Sequence, residues 1–199
     1  MKIDPINEIE LTTERLVLKV LDSTFALKVL NYYKENQDFF MLTMPAYDEQ
    51  FLTKEYQEER LWTEFYLMCE DRGIRFYIFK KDDVLYEHII GDVSVSNVIR
   101  GAFQSCNMGF KLDKTETGNG FMAEALKGII DYNFTQLRLH RIEADVMISN
   151  SPCIKLIRKL GFKKEGISEK YLFVKGAWQD HERHSLINHD EIFFKITEL

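Results

Sequence analysis

The stretch "KLDKTETGNGFMAEALKGII", residues 111–130, sets a β-like run against two glycines one residue apart and then passes directly into a helical pattern. From Phe121 to Leu137 the apolar positions Met122, Leu126, Ile130 and Phe134 fall four apart, which predicts a helix with one buried stripe. The first turn of such a helix has N–H groups without internal partners and a partial positive charge, so it attracts a phosphate or another anion. Gly118 and Gly120 permit backbone angles closed to other residues and keep side chains away from those amides. A tight strand-to-helix turn explains the two glycines equally well at this level. The loop is no P-loop, since Phe121 and Met122 follow where Lys and Ser/Thr are needed, and it lacks the third glycine of a dinucleotide fingerprint.

Outward from this point, "IRFYIFKK" (74–81), "HIIGDVSVSNVI" (88–99) and "FQSCNMGFKL" (103–112) are β-rich and follow in series, which predicts an antiparallel meander. Upstream, "RLVLKVL" (15–21) alternates as a strand. Asp22 or Ser23 then caps a helix carrying Phe25, Val29, Leu30 and Tyr33, and Thr53 caps a second with Tyr56, Trp62, Phe65 and Cys69 among its core positions, ending near Gly73. Downstream, "RIEADVMI" (141–148) is a strand. Ser151 caps a short helix with Pro152 in its first turn, Ile154, Ile157 and Leu160 on its core face, and Gly161 at its end. The tail reads as two strands joined at Lys175-Gly176. With no repeat, low-complexity tract or linker, residues 1–199 are expected to form a single domain of mixed α/β (α+β) class.

A chain of 199 residues, 45% of them hydrophobic, builds a full core without disulfides or metal. The net charge of -6 disfavours a nonspecific nucleic-acid binder and suits a cationic partner. Cys69, Cys106 and Cys153 form no CxxC pair, so neither a disulfide framework nor a zinc knuckle is indicated, and a reducing cytoplasm is expected. "MKIDPINEIELTTERL" has no apolar signal core, and no run approaches the ~18 apolar residues of a membrane span. "DHERH" (180–184) looks metal-like, but on a strand His181 and His184 point to opposite faces and cannot share an ion.

Taken together, "LTTERLVLKVL", "MGFKLD", "GNGFMAEAL", "HRIEADV", "SNSPCIKLIRKLGFKKEG" and "WQDHERHSLI" resemble the GNAT superfamily of acetyl-CoA-dependent N-acetyltransferases, most closely its RimJ/RimL type. The resemblance implies the GNAT acyl-CoA N-acyltransferase fold, a twisted, mostly antiparallel sheet flanked by helices. It implies acetyl-CoA as co-substrate, no metal, and direct attack by an amine in a ternary complex, the favoured acceptor being a protein N-terminus of ribosomal-protein type. Polyamines and aminoglycoside-like amines remain open as acceptors, as do a non-catalytic coenzyme A sensor and a homodimer; neither a membrane nor a nucleic acid is an expected partner. Residues 40–85 carry little of the family's character.

For the cofactor, the resemblance implies that Thr117, Gly118, Asn119, Gly120, Phe121 and Met122 cradle the pyrophosphate, with Thr117 standing where Gln or Arg is usual and Met122 where Gly or Ala is. It places Phe110 and Leu112 beside the pantetheine, where the strands at "NMGFKL" and "RIEADVMI" splay, and Asn150 on the same arm. Asn150 also reads as a helix cap ahead of Pro152. Lys155, with Arg158, Lys159, Lys163 and Lys164, makes the most basic stretch; it reads either as a phosphate contact or as a solvated face.

For the chemistry, Cys153 occupies the position where the family often carries a Ser near the sulfur of coenzyme A, and at a helix N-terminus its pKa is expected to fall below ~8.5. Asp145, on a strand face shared with Glu143, is a candidate base, with an ion pair to Arg141 as the plain alternative. Glu165 of "KKEG" is a second candidate base and Tyr171 a candidate acid or pocket residue. These residues alone leave the base unassigned.

Overall fold

The computed structural model describes residues 9–189. The opening residues 1–8, read as lacking a signal core, and the end of the expected domain at 190–199 lie outside the described residues. One sheet runs through the protein. Its strands are β1 (Glu10–Thr12), β2 (Leu16–Lys19), β3 (Ile74–Lys80), β4 (Gly91–Ile99), β5 (Ser105–Leu112), β6 (Arg141–Met147), β7 (Lys163–Val174) and β8 (Ala177–Ile187), in the order β1-β2-β3-β4-β5-β6-β8-β7. All neighbours are antiparallel except β5 and β6. Among the described residues, five α-helices, α1 (Ala26–Glu35), α2 (Gln37–Phe40), α3 (Lys54–Cys69), α4 (Phe121–Thr135) and α5 (Ser151–Lys159), flank it. The expected mixed, mostly antiparallel sheet flanked by helices is the one observed.

Each face of the sheet has its own core. Leu16, Leu18, Phe76, Ile78, Val93 and Met108 join Leu126, Ile129 and Ile157 on the α4–α5 side. Val29, Tyr33, Phe40, Leu61, Tyr77 and Phe79 form the second core on the α1–α3 side. Because both faces are covered, Leu16, Val17, Leu18 and Lys19 are all buried, and the alternation expected of β2 does not mark an exposed face. The β7–β8 hairpin turns at Lys175 (φ 53°) and Gly176 (φ 73°), a two-residue loop with both angles positive that matches the twist of its strands.

Three local expectations are corrected. In α3, Tyr56, Trp62 and Cys69 are exposed and Phe65 is only half-buried, while Gln57 and Leu61 face the sheet. The reason is a polar seam: Gln57 Nε2 donates to Phe51 O, Arg60 donates to Gln57 and to Tyr33 Oη, and Arg75 and Tyr77 donate to Glu64. Thr53 does cap the helix, accepting from Tyr56 N. In α4 the fully buried line is Met122, Ala125, Leu126, Ile129 and Asn133; Ile130 and Phe134 flank it, since a strict four-residue step drifts around a helix of 3.6 residues per turn. In α5 the cap is Asn150, whose side chain accepts from Cys153 N at 3.3 Å, and Ser151 is already the first helical residue.

Candidate active site

The junction of β5 and α4 has the geometry of an anion cradle built from backbone. Gly118 (φ +83°) and Gly120 (φ +79°) hold left-handed angles, and around Gly118 an added Cβ would meet nothing within 4 Å. Gly120 stands at the N-cap of α4 without a side-chain cap, and the first helical bond is Glu124 N–H to Gly120 O at 3.1 Å. Among the described residues, the amides of Phe121, Met122 and Ala123 therefore find no acceptor within the helix or in a capping side chain. Three converging donors at the positive end of a 15-residue helix, approached over bare glycine, fit a pyrophosphate. Asn119 and Thr117 tie the loop to itself through Glu116 O and Lys114 O. Met122 contributes its side chain to the core and only its amide to the cradle.

Arg15 and Glu124 lock the cradle, a role not visible in the sequence. Glu124 accepts from Thr13 Oγ1 (2.6 Å), Arg15 N (2.7 Å) and Arg15 Nε (2.7 Å). The Arg15 Nη1 donates to Asn119 O (3.1 Å), and the guanidinium lies 4.6 Å from the Phe121 ring centroid. Lys80 Nζ also lies 5.5 Å from that ring centroid and pairs with Glu116 at 2.7 Å. A strand start and a helix over a hundred residues apart share no local pattern that would have revealed this clamp.

Next to the cradle the sheet opens. The parallel ladder joins only Ser105–Asn107 to Arg141–Glu143, although β5 runs on to Leu112 and β6 to Met147. Past Asn107 and Glu143 the two strands separate, leaving backbone donors and acceptors of β5 without a ladder partner on that side. Phe110 and Leu112, half-buried against the α4–α5 core, stand on this free stretch of β5. Asn150 and Cys153 sit at the start of α5, which follows β6. The cap uses Asn150 Oδ1, leaving the side-chain NH₂ as a donor. Lys155 is exposed on α5, whereas Arg158 and Lys164 are both drawn to Glu182 at 2.9 and 2.7 Å, so the basic stretch is partly neutralised.

Cys153 departs from the expected low pKa. Burial pushes its thiol up to about 12, outweighing the helix N-terminus, so at neutral pH it is a protonated, poorly nucleophilic group.

The carboxylates lie on the opposite face of β6 from Ile142, Ala144 and Val146, which belong to the α4–α5 core. They form a chain of alternating charge. Arg141 binds Glu165 with both terminal nitrogens and Glu143 with Nε (2.6 Å); Arg183 reaches Glu143 (3.2 Å) and Asp145 (3.4 Å). Glu165 also accepts from Ser185 Oγ at 2.7 Å, and the hydrogen bonds from Arg141 and then Ser185 hold its carboxyl down to about 2. Such a carboxylate is a poor proton acceptor at neutral pH, and the geometry gives Glu165 a strand-tethering role instead of that of a base. Asp145 ends the chain, with Tyr171 Oη donating to its Oδ2 at 3.1 Å. His181 stacks edge-on against Tyr171 with centroids 5.4 Å apart, and His184 lies 3.3 Å from Glu182. Among the described residues, no group of three or more His, Cys, Asp or Glu side chains is placed to hold a metal, and no helix is long and apolar enough to cross a membrane.

The α1–α3 face also carries a buried charge cluster unread from the sequence. Asp92 of β4, fully buried, is held by Arg75 of β3, by Lys111 of β5 at 3.2 Å and by Tyr32 at 3.2 Å. It is the cross-strand partner of Lys111 on β5.

Comparison with known proteins agrees with this geometry. The family model described as "Acetyltransferase (GNAT) domain" matches residues 15–163. The chain is 34% identical over 189 residues to the [ribosomal protein uS5]-alanine N-acetyltransferase of Escherichia coli (strain K12), covering 93% of this chain and 94% of that one. Among solved structures it is similar to a ribosomal-protein-S5-alanine acetyltransferase from Vibrio fischeri (TM-score 0.87, 32% identity, 92% of this chain and 98% of that one). It is also similar to Mycobacterium smegmatis RimJ in complex with CoA-disulfide (TM-score 0.80, 25% identity, 86% and 81%). A glycine-lined helix terminus beside a sheet that opens between one parallel pair of strands, matched along three quarters of its sequence, places this chain in the GNAT family of N-acetyltransferases, of RimJ/RimL type.

Proposed function

We propose that the protein, acting as one domain over residues 1–199 in the cytoplasm, transfers acetyl from acetyl-CoA to the α-amine of a protein N-terminus, by direct attack in a ternary complex. The observation that carries this reading is the uncapped start of α4, with Gly118 and Gly120 bare beside it, opening onto the gap between β5 and β6. The amides of residues 121–123 hold the pyrophosphate, the free backbone of β5 pairs with the pantetheine arm alongside Phe110 and Leu112, and Asn150 donates to that arm from the other wall. The thioester supplies the activated acetyl group. Cys153, kept as a neutral thiol, is able to give a proton to the leaving sulfur, and Asp145 is the carboxylate that receives the proton of the amine. The uS5 relative and the Vibrio fischeri structure, both named for ribosomal-protein alanine acetylation, support a protein N-terminus as acceptor.

A second reading, a small cationic amine as acceptor, rests on a cleft of about 770 Å³ between α1, the β3–β4 connection and residues 113–116, where Glu35, Asp82, Asp83, Glu87, Asp113 and Glu116 outnumber Lys28 and Lys80. A competition experiment separates the two. Equal concentrations of an alanine-initiated uS5 N-terminal peptide, spermidine and an aminoglycoside are incubated with acetyl-CoA, and products are located by tandem mass spectrometry. The expected product is the peptide acetylated on its α-amine, favoured by at least about 100-fold in kcat/KM, the discrimination available when a site is built around specific polar contacts. Preferential acetylation of spermidine or the aminoglycoside would replace this reading by the second.

A further inference from the structure

Asp145 is poorly placed to meet an amine itself. Its side chain is only 10% exposed, Oδ1 is fully buried 3.4 Å from Arg183 Nε, and Oδ2 already accepts from the Tyr171 hydroxyl. Tyr171 is the opposite case, 42% exposed and within hydrogen-bonding distance of the carboxylate. Because its O–H donates to Asp145, its oxygen lone pairs remain as acceptors toward the open side.

The backbone has been bent to achieve this. Between the pairs Ser168↔His181 and Leu172↔Gln179, three residues of β7, Glu169, Lys170 and Tyr171, stand opposite Asp180 alone. Lys170 takes a left-handed φ of 48°, and its N–H is held by Asp180 Oδ1 at 2.8 Å. A lysine at such an angle costs about 1 kcal/mol, and bulges of this kind re-aim side chains beside active sites. Without the two extra residues, a regular ladder would carry Tyr171 past the position of Asp145. The ring is further seated against His181.

We infer that Tyr171 is a proton relay through which the attacking amine reaches Asp145. The inference rests on the acetyl-transfer reading above. As the amine nitrogen bonds to the thioester carbonyl carbon, the C–S bond breaks and its electron pair leaves on the sulfur of coenzyme A. One N–H proton passes to Tyr171 Oη while the tyrosine's own proton passes to Asp145 Oδ2. Tyr171 ends neutral, Asp145 ends as a carboxylic acid, and the balance closes when the departing sulfur takes the proton of Cys153 and the Asp145 proton returns through water to Cys153. Arg183 Nε lies 3.4 Å from Asp145 Oδ1.

The test compares the full-length protein with Tyr171→Phe, Asp145→Asn and the double variant, using acetyl-CoA and the uS5 peptide, with Tm and peptide KM recorded throughout. Tyr171→Phe and Asp145→Asn are each expected to lower kcat by about 100-fold with KM within about two-fold, the usual size of a positioned acid–base contribution. The double variant is expected to be no slower than either single one, since the two residues act as a unit. A Tyr171→Phe enzyme that keeps its kcat, that changes only KM, or whose loss adds to that of Asp145→Asn would overturn the relay while the acetyl-transfer reading stands. A wild-type protein that acetylates no amine would overturn both, and is recognised by the wild-type assay alone.

Discussion

Gly120→Val is expected to weaken acetyl-CoA binding by at least about 100-fold while the protein still folds. The argument begins with the backbone, since Gly120 holds φ +79° and a β-branched residue is a true outlier there, at a cost of roughly 1–2 kcal/mol. To relieve that strain, the first turn of α4 must rotate, and with it the amides of Phe121, Met122 and Ala123. Each hydrogen bond to an anion is worth about 1.5–3 kcal/mol, so losing two of them exceeds the 2.7 kcal/mol or so that corresponds to 100-fold. Arg15 does not crowd the new side chain, because the added Cβ would lie 3.5 Å from its Nη2, an ordinary contact. Isothermal titration with acetyl-CoA checks the result, alongside a Tm that falls by only a few degrees. An unchanged Kd with a lowered Tm would reduce the glycine to a turn residue.

The largest stability effect is expected at Asp92. Removing its carboxylate in Asp92→Ala takes away the counter-ion paired with Lys111 and leaves Arg75 with Glu64, and breaking a buried ion pair in this way typically costs about 3–5 kcal/mol. At this chain length that corresponds to a fall in Tm of about 10 °C. The pH dependence has a definite sign. Burial pushes the carboxyl up, but Lys111, Arg75 and Arg60 together outweigh it and hold its pKa below the ordinary value. A depressed folded pKa means that the stabilisation is present above the unfolded value of about 3.9 and is lost as pH falls through the folded one. Thermal melts from pH 7 to pH 3 should therefore show the wild type losing stability at the acid end faster than Asp92→Ala does. Parallel curves would mean that the cluster contributes nothing specific.

Legibility in the sequence followed locality. Gly118, Gly120 and the helix behind them were readable because the turn, the missing cap and the apolar pattern all lie within twenty residues. The meander was readable because each strand follows the last. The inner face of α3 was not, since Gln57, Arg60 and Glu64 face the sheet while Trp62 and Tyr66 face out, reversing the usual meaning of the pattern. Lys111 and Asp92 meet only through the β4–β5 register, and Arg15 reaches Asn119 only once β2 is laid beside α4. Tyr171 was visible as an aromatic in a strand, but its meeting with Asp145 depends on two extra residues in β7 that leave no mark on the period. Cys153 was placed correctly at a helix start, and its pKa was misjudged because burial of a single side chain depends on what packs over it.

The central claim is that the β5–α4 junction binds acetyl-CoA, and the most direct measurement is the melting temperature with acetyl-CoA, ATP or NADH added separately. Acetyl-CoA at ~100 times its dissociation constant should stabilise the protein by about 2.7 kcal/mol, a rise of roughly 5–10 °C at this size, with little change for the other two. Equal shifts for all three would mark a general phosphate site, and no shift with saturating acetyl-CoA would contradict the assignment of the loop.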